Sequence, residues 1–224
     1  DELYAAGYNV LIVRMPYHGL ATHTVSELKH VTALGLNEFA DESVDMAAGL
    51  GEELTVAGLS GGGTITGWIG QNRSDVDKIV LIAPLFGMHD VPPFANNILG
   101  NLFSRVPDID FTSSSEPPRA TVYRGWSTRG IAEYLLLAKA VRQQADSSPP
   151  RVKDMVFVTN ANDHTVNNDI NADVAGAWQR SGASITSYQF DKSLGLPHDF
   201  IDPTGIGDRK SDVYPELIKL IEGD

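Results

Sequence analysis

The stretch that decides the fold is Leu54-Thr55-Val56-Ala57-Gly58-Leu59-Ser60-Gly61-Gly62-Gly63-Thr64-Ile65-Thr66-Gly67. Leu54–Leu59 is a short, largely apolar run, which predicts a buried strand. From Gly61 to Gln71 small and apolar residues predict a helix packed closely on a sheet. Between the two, Gly58-Leu59-Ser60-Gly61-Gly62 has the pattern G-x-S-x-G. On a strand-to-helix turn such a serine is strained, and its hydroxyl stands exposed at the carboxyl end of the sheet. The N–H of Gly61, at the helix start, is then placed to stabilise a developing oxyanion. A dinucleotide-binding reading of Gly61, Gly63 and Gly67 fails. The spacing is one residue too long, and the next strand ends Ile82-Ala83-Pro84 with no acidic residue for a ribose.

Working outward, Val10–Val13 is a continuous apolar run between Gly7 and Pro16 and predicts a buried strand. Leu36–Leu50 has helical spacing, Lys78–Ala83 predicts a strand, and together they alternate as a parallel α/β sheet requires. Phe86 to Pro118 is richer in proline and serine, with Phe94, Ile98, Leu99, Leu102 and Phe103 predicting one short helix. Ile131–Gln144 is an amphipathic helix. The alternation resumes with strand Met155–Thr159, helix Asn171–Arg180 and strand Ile185–Phe190. A last helix is expected from Pro215, a residue suited to a first turn, to Glu222. The expected fold class is α/β, a mostly parallel sheet flanked by helices. The core spans residues 1–85 and 151–224, and an inserted lid spans residues 86–150.

The 224 residues carry 17 Lys and Arg against 29 Asp and Glu, a net charge of −12. No basic cluster offers the electrostatic footprint of a nucleic-acid binder. No apolar run is long enough for a transmembrane helix. With no cysteine, thiolate nucleophiles, disulfides and cysteine zinc sites are excluded. The compartment stays open, a cytoplasmic location being slightly favoured, and homo-oligomer formation is left open.

A serine hydroxyl needs a histidine base, and the histidine a carboxylate that holds its tautomer. Asn160-Ala161-Asn162-Asp163-His164 follows the strand ending at Thr159, which puts Asp163 on the same rim as Ser60. Leu194-Gly195-Leu196-Pro197-His198-Asp199 follows the strand ending near Phe190 and puts His198 there too. The order Ser60, Asp163, His198 is the one this elbow demands. Asp169 and Asp191 are the alternative acids. His18, His23, His30, His89 and His164 do not follow a terminal strand after an acid, and none forms a metal-ligand pair with another. No metal and no cofactor is expected.

In these motifs the chain resembles the α/β-hydrolase family, in its serine esterase and lipase branch. Arg14-Met15-Pro16-Tyr17-His18-Gly19 resembles that family's Pro-Gly-His-Gly turn, with Tyr17 in place of the first glycine. The resemblance implies Ser60 as nucleophile, His198 as base and acid, Asp163 as its orienter and Gly61 as an oxyanion donor. It implies hydrolysis of a small-molecule carboxylic ester through an acyl-enzyme on Ser60. Peptidase or thioesterase chemistry uses the same triad, and a non-catalytic binding protein of the same fold is the reading from another class. Serine in the elbow disfavours the carboxylate nucleophile of dehalogenases and epoxide hydrolases. The aromatic and aliphatic residues Phe86, Phe94, Leu99, Leu102, Phe103 and Trp126 suggest an apolar acyl pocket, the alternative being that they pack the lid on the core.

The family places one more strand between the equivalents of Val10–Val13 and Leu54–Leu59. No such strand is readable between Leu20 and Glu53, so only Gly61 is assigned to the oxyanion hole. A skipped strand opens a gap of about twice the ~4.8 Å inter-strand spacing. The favoured expectation is an upstream segment outside this numbering. The alternatives are direct pairing of the two strands, or a strand given by a second chain.

Overall fold

The computed structural model describes residues 2–20, 24–112, 123, 125–206 and 209–223. The sequence-predicted features at Asp1, His23, Ser113–Ser115, Pro117 and Pro118 lie outside the described residues.

Four parallel strands make the main sheet: β1 (Thr55–Leu59), β2 (Lys78–Ile82), β5 (Asp154–Asn160) and β6 (Ser184–Phe190), in the order β1-β2-β5-β6. Thr55 to Leu59 lie in register with Lys78 to Ile82, Lys78 to Ile82 with Asp154 to Val158, and Asp154 to Asn160 with Ser184 to Phe190. Every residue of β2 is buried, as a parallel strand covered on both faces must be. The chain also forms the short helices α1 (Glu2–Ala5) and α7 (Pro203–Ile206). The helices α2 (Ala33–Ala47), α3 (Gly61–Asn72), α5 (Thr128–Ser147), α6 (Asn168–Arg180) and α8 (Lys210–Glu222) all contribute buried apolar residues to one continuous core. Ile79, Leu81, Met155, Trp178 and Phe190 lie at its centre with almost no exposure.

Between β2 and β5 the chain forms α4 (Pro93–Phe103), the antiparallel pair β3 (Asp110–Thr112) and β4 (Gly125–Ser127), and then α5. Phe111 stacks on Trp126 across that small hairpin, ring centroids 4.5 Å apart. The buried face of α5, with Leu137, Ala138 and Val141, joins the main core. No described helix is long and apolar enough to cross a membrane.

Two elements differ from the sequence reading. Val10–Val13 is not a buried strand: it pairs with nothing in the sheet, and Ile12 is 90% exposed. No ladder joins it to β1, whose only sheet neighbour among the described residues is β2. A run of branched residues becomes a strand only where a neighbour takes up its N–H and C=O groups; among the described residues no strand pairs with it. The last helix begins at Lys210, so Pro215 stands inside it. The apolar spacing explains this, since Val213 is buried one turn before Leu217 and its burial offsets the loss of a single N–H.

Candidate active site

Because the four strands run parallel, their carboxyl ends share one rim, where ligands of open α/β sheets bind. Ser60 follows the end of β1 directly, Asp163 lies just past β5, and His198 lies in the loop after β6.

Ser60 has φ 54° and ψ −116° and makes no capping bond with its side chain. A non-glycine residue there costs about 1–3 kcal/mol and persists only where its surroundings over-determine it. The surroundings are visible. Ser60 N–H donates to Ile82 O at 2.9 Å, while Ser60 O accepts from Leu85 N and Thr64 N, both at 3.0 Å. The turn is thus pinned to the end of β2 through its backbone, and the hydroxyl is not used to cap α3. The helix can start so close to the strand because residue 58 has no side chain. A Cβ on Gly58 would sit 2.3 Å from Gly62 O and 2.5 Å from Thr66 Oγ1. A Cβ on Gly61 would lie 2.8 Å from the Tyr134 ring, so that ring rests on the elbow's backbone. As the first residue of α3, Gly61 has an N–H with no helical partner.

Asp163 and His198 are brought together. His198 Nδ1 lies 2.7 Å from Asp163 Oδ2. A carboxylate only accepts, so Nδ1 carries the proton and Nε2 the lone pair. The Asp163 side chain has no exposure, and its Oδ1 accepts from Thr165 N at 2.8 Å and Val166 N at 3.2 Å. Burial pushes its pKa up. The bond to His198, the imidazole's charge and the two backbone bonds outweigh that and hold the carboxyl below its ordinary value.

His198 Nε2 is buried with no hydrogen-bond partner among the described residues. The structure therefore does not join it to Ser60 by a hydrogen bond; such bonds are often long before substrate enters. Of the alternative acids, Asp169 is exposed in the first turn of α6, and Asp191 caps the turn Lys192–Leu194. Neither touches the imidazole.

One supporting residue escaped the sequence reading. Asn160 is fully buried. It donates from Nδ2 to Leu196 O at 2.9 Å and Pro197 O at 3.1 Å, and it accepts from Asn162 N at 2.9 Å. It ties the Asp163 loop to the His198 loop. A buried asparagine ending an otherwise apolar strand was its only sequence signal.

The expected apolar pocket is not built as predicted. Phe86 is fully buried, edge-on to Trp178 in the core, while Phe94 and Leu102 are exposed. Of the six residues only Trp126 lines the cavity of about 260 Å³ that Tyr134 shares. Surface aliphatics on α4 cannot be told from pocket walls by composition alone. Tyr17 adopts φ 61°, the conformation that explains a glycine at this place in the resembling turn.

No protein-family model matches the chain, and no curated protein matches it in sequence. Solved structures do match in fold. A metagenome-derived lipolytic enzyme from the work on LipS and LipT aligns at 18% identity over 99% of this chain and 85% of its own, with TM-score 0.68. A monoacylglycerol lipase of Paleococcus ferrophilus aligns at 13% identity over 87% of this chain and 77% of its own, with TM-score 0.62. A soluble variant of the monoglyceride lipase of Saccharomyces cerevisiae aligns at 14% identity over 84% and 69%, with TM-score 0.56. With its parallel sheet, strand-turn-helix elbow and these neighbours, the chain has the α/β-hydrolase fold found in solved lipases and esterases.

Proposed function

We propose that this protein hydrolyses carboxylic esters through an acyl-enzyme on Ser60. The observation that carries the reading is the Asp163–His198 pair, 2.7 Å apart, on the same sheet rim as a serine held in a strained turn. Neighbours named as lipases support the substrate class.

The chemistry follows from the protonation pattern. Nε2 of His198 accepts the Ser60 hydroxyl proton as Oγ attacks the ester carbonyl, and the oxyanion that forms is stabilised by Gly61 N–H. The imidazolium is stabilised by the buried Asp163 carboxylate. It returns the proton to the leaving alcohol as the carbon–oxygen bond breaks. Water then attacks the acyl-serine by the same route, releasing the acid and regenerating the serine. The test is turnover of a graded series of p-nitrophenyl esters by the wild type and by Ser60→Ala. Hydrolysis that Ser60→Ala removes supports the reading, and hydrolysis that survives it contradicts the reading.

A further inference from the structure

Beside the elbow lies the cavity of about 260 Å³, walled mainly by His18, Leu28, Tyr123, Trp126, Ile131 and Tyr134. The Tyr134 ring, one of its walls, also rests on the backbone of Gly61, next to Ser60. Three of its walls are coupled rings. His18 stacks on Tyr123 at 6.0 Å and 17°, and meets Tyr134 edge-on at 6.4 Å and 82°. Tyr123 is itself fixed, its hydroxyl accepting from Leu20 N at 2.9 Å. The Tyr134 hydroxyl contacts Met15 Sδ.

The ring on these walls with a nitrogen able to accept is His18. Its Nδ1 lies 2.8 Å from Pro16 O. A carbonyl only accepts, so Nδ1 holds the proton. Burial lowers the pKa of His18, more than the bond to Pro16 raises it, and this favours the neutral ring. Nε2 is then a lone-pair acceptor on an otherwise apolar, aromatic wall.

Resting on the ester-hydrolase reading above, we propose that this cavity takes a hydroxylated aromatic group of the ester substrate, with His18 Nε2 accepting the phenolic hydrogen bond. The size fits: a cavity of about 150 Å³ holds benzene, so 260 Å³ suits a ring with a short arm, roughly ten heavy atoms. An apolar pocket with a few placed polar groups is the usual form of a small-molecule site. His18 is thus a specificity-determining residue, not a base.

The test uses 4-propylphenol and propylbenzene, which differ by one hydroxyl, and needs no turnover. Binding of each is measured by calorimetry to the wild type and to His18→Phe, which keeps a stacking ring and removes the acceptor. A buried hydroxyl left without an acceptor is strongly disfavoured. The preference for the phenol should therefore fall about tenfold in His18→Phe. An equal ratio in the two proteins overturns the proposal. A second measurement uses the wild type alone. The nitrogen-15 resonance of His18 Nε2 should move when 4-propylphenol binds and stay in place with propylbenzene; no movement with the phenol contradicts the assignment. The phenol should also compete with p-nitrophenyl acetate, and non-competitive behaviour would remove the cavity from the substrate path. Loss of the Ser60 chemistry leaves the two binding readouts intact, so the two readings fail separately.

Discussion

The Asp163 carboxylate holds His198 Nδ1 at 2.7 Å with one oxygen while the other is bound by the N–H groups of Thr165 and Val166. Both oxygens are committed, so the carboxylate cannot rotate away, and it fixes the imidazole in the tautomer that leaves Nε2 bare. Asp163→Asn replaces an acceptor with a group that can present an N–H to Nδ1, which reverses that tautomer. Turnover should fall by roughly 10⁴. Asp169→Asn, exposed and away from the ring, should leave the rate of ester hydrolysis unchanged. The reverse pattern would reassign the acid.

Ser60→Ala and His198→Ala should each abolish nearly all turnover, and the double variant should be little worse than either. The two groups act in one proton transfer, so their losses do not add. Steady-state kinetics on a p-nitrophenyl ester measures this. Multiplicative losses would mean that the two residues act independently.

The elbow's glycines differ in what they do. Gly58→Ala forces a Cβ to within 2.3 Å of backbone at Gly62, and overpacking of this kind costs about 1–3 kcal/mol. Gly62 has open space around its Cβ position, so Gly62→Ala should be nearly neutral in stability. Urea unfolding midpoints of the two variants check the difference.

The Asp163 carboxyl sits below its ordinary value in the folded chain. A depressed folded pKa stabilises the fold above the unfolded pKa of about 3.9, and that contribution is lost as pH falls through the folded value. Stability should therefore decline more steeply as pH falls below about 5 in the wild type than in Asp163→Asn. Urea midpoints across that range are the measurement, and parallel curves would contradict it.

Asn160 ties the acid loop to the histidine loop through Leu196 O and Pro197 O. Asn160→Leu is close in volume but donates nothing: Pro197 O loses this bond and Leu196 O keeps only the one from Asn162 Nδ2 at 3.2 Å, at a cost of about 1–3 kcal/mol. A lower melting temperature and a reduced kcat are expected. Unchanged kcat would free the His198 loop from this tie.

What the sequence revealed and what it hid divide by range. Ser60 was legible because the elbow is local: strand, G-x-S-x-G and helix lie within Leu54 to Gln71. Asp163 and His198 were legible because each follows a strand, and parallel strands deliver their ends to one rim. Val10–Val13 misled because composition reports what a segment would do beside a partner strand, not whether that partner is there. Pro215 misled because its helix-start preference is outweighed by the burial of Val213, two positions before it. The aromatic cavity was invisible because it joins His18 to Tyr123 and Tyr134, more than a hundred positions away, and no local pattern carries such a contact.

The central claim is that Ser60 is a nucleophile activated by His198. It is tested most directly by treating the folded protein with a fluorophosphonate probe and locating the adduct by peptide mass spectrometry. The account predicts one phosphonylated residue, Ser60, with labelling lost in Ser60→Ala and strongly slowed in His198→Ala. An unlabelled Ser60 in the folded wild type, or labelling of Ser60 at an unchanged rate without His198, would contradict it.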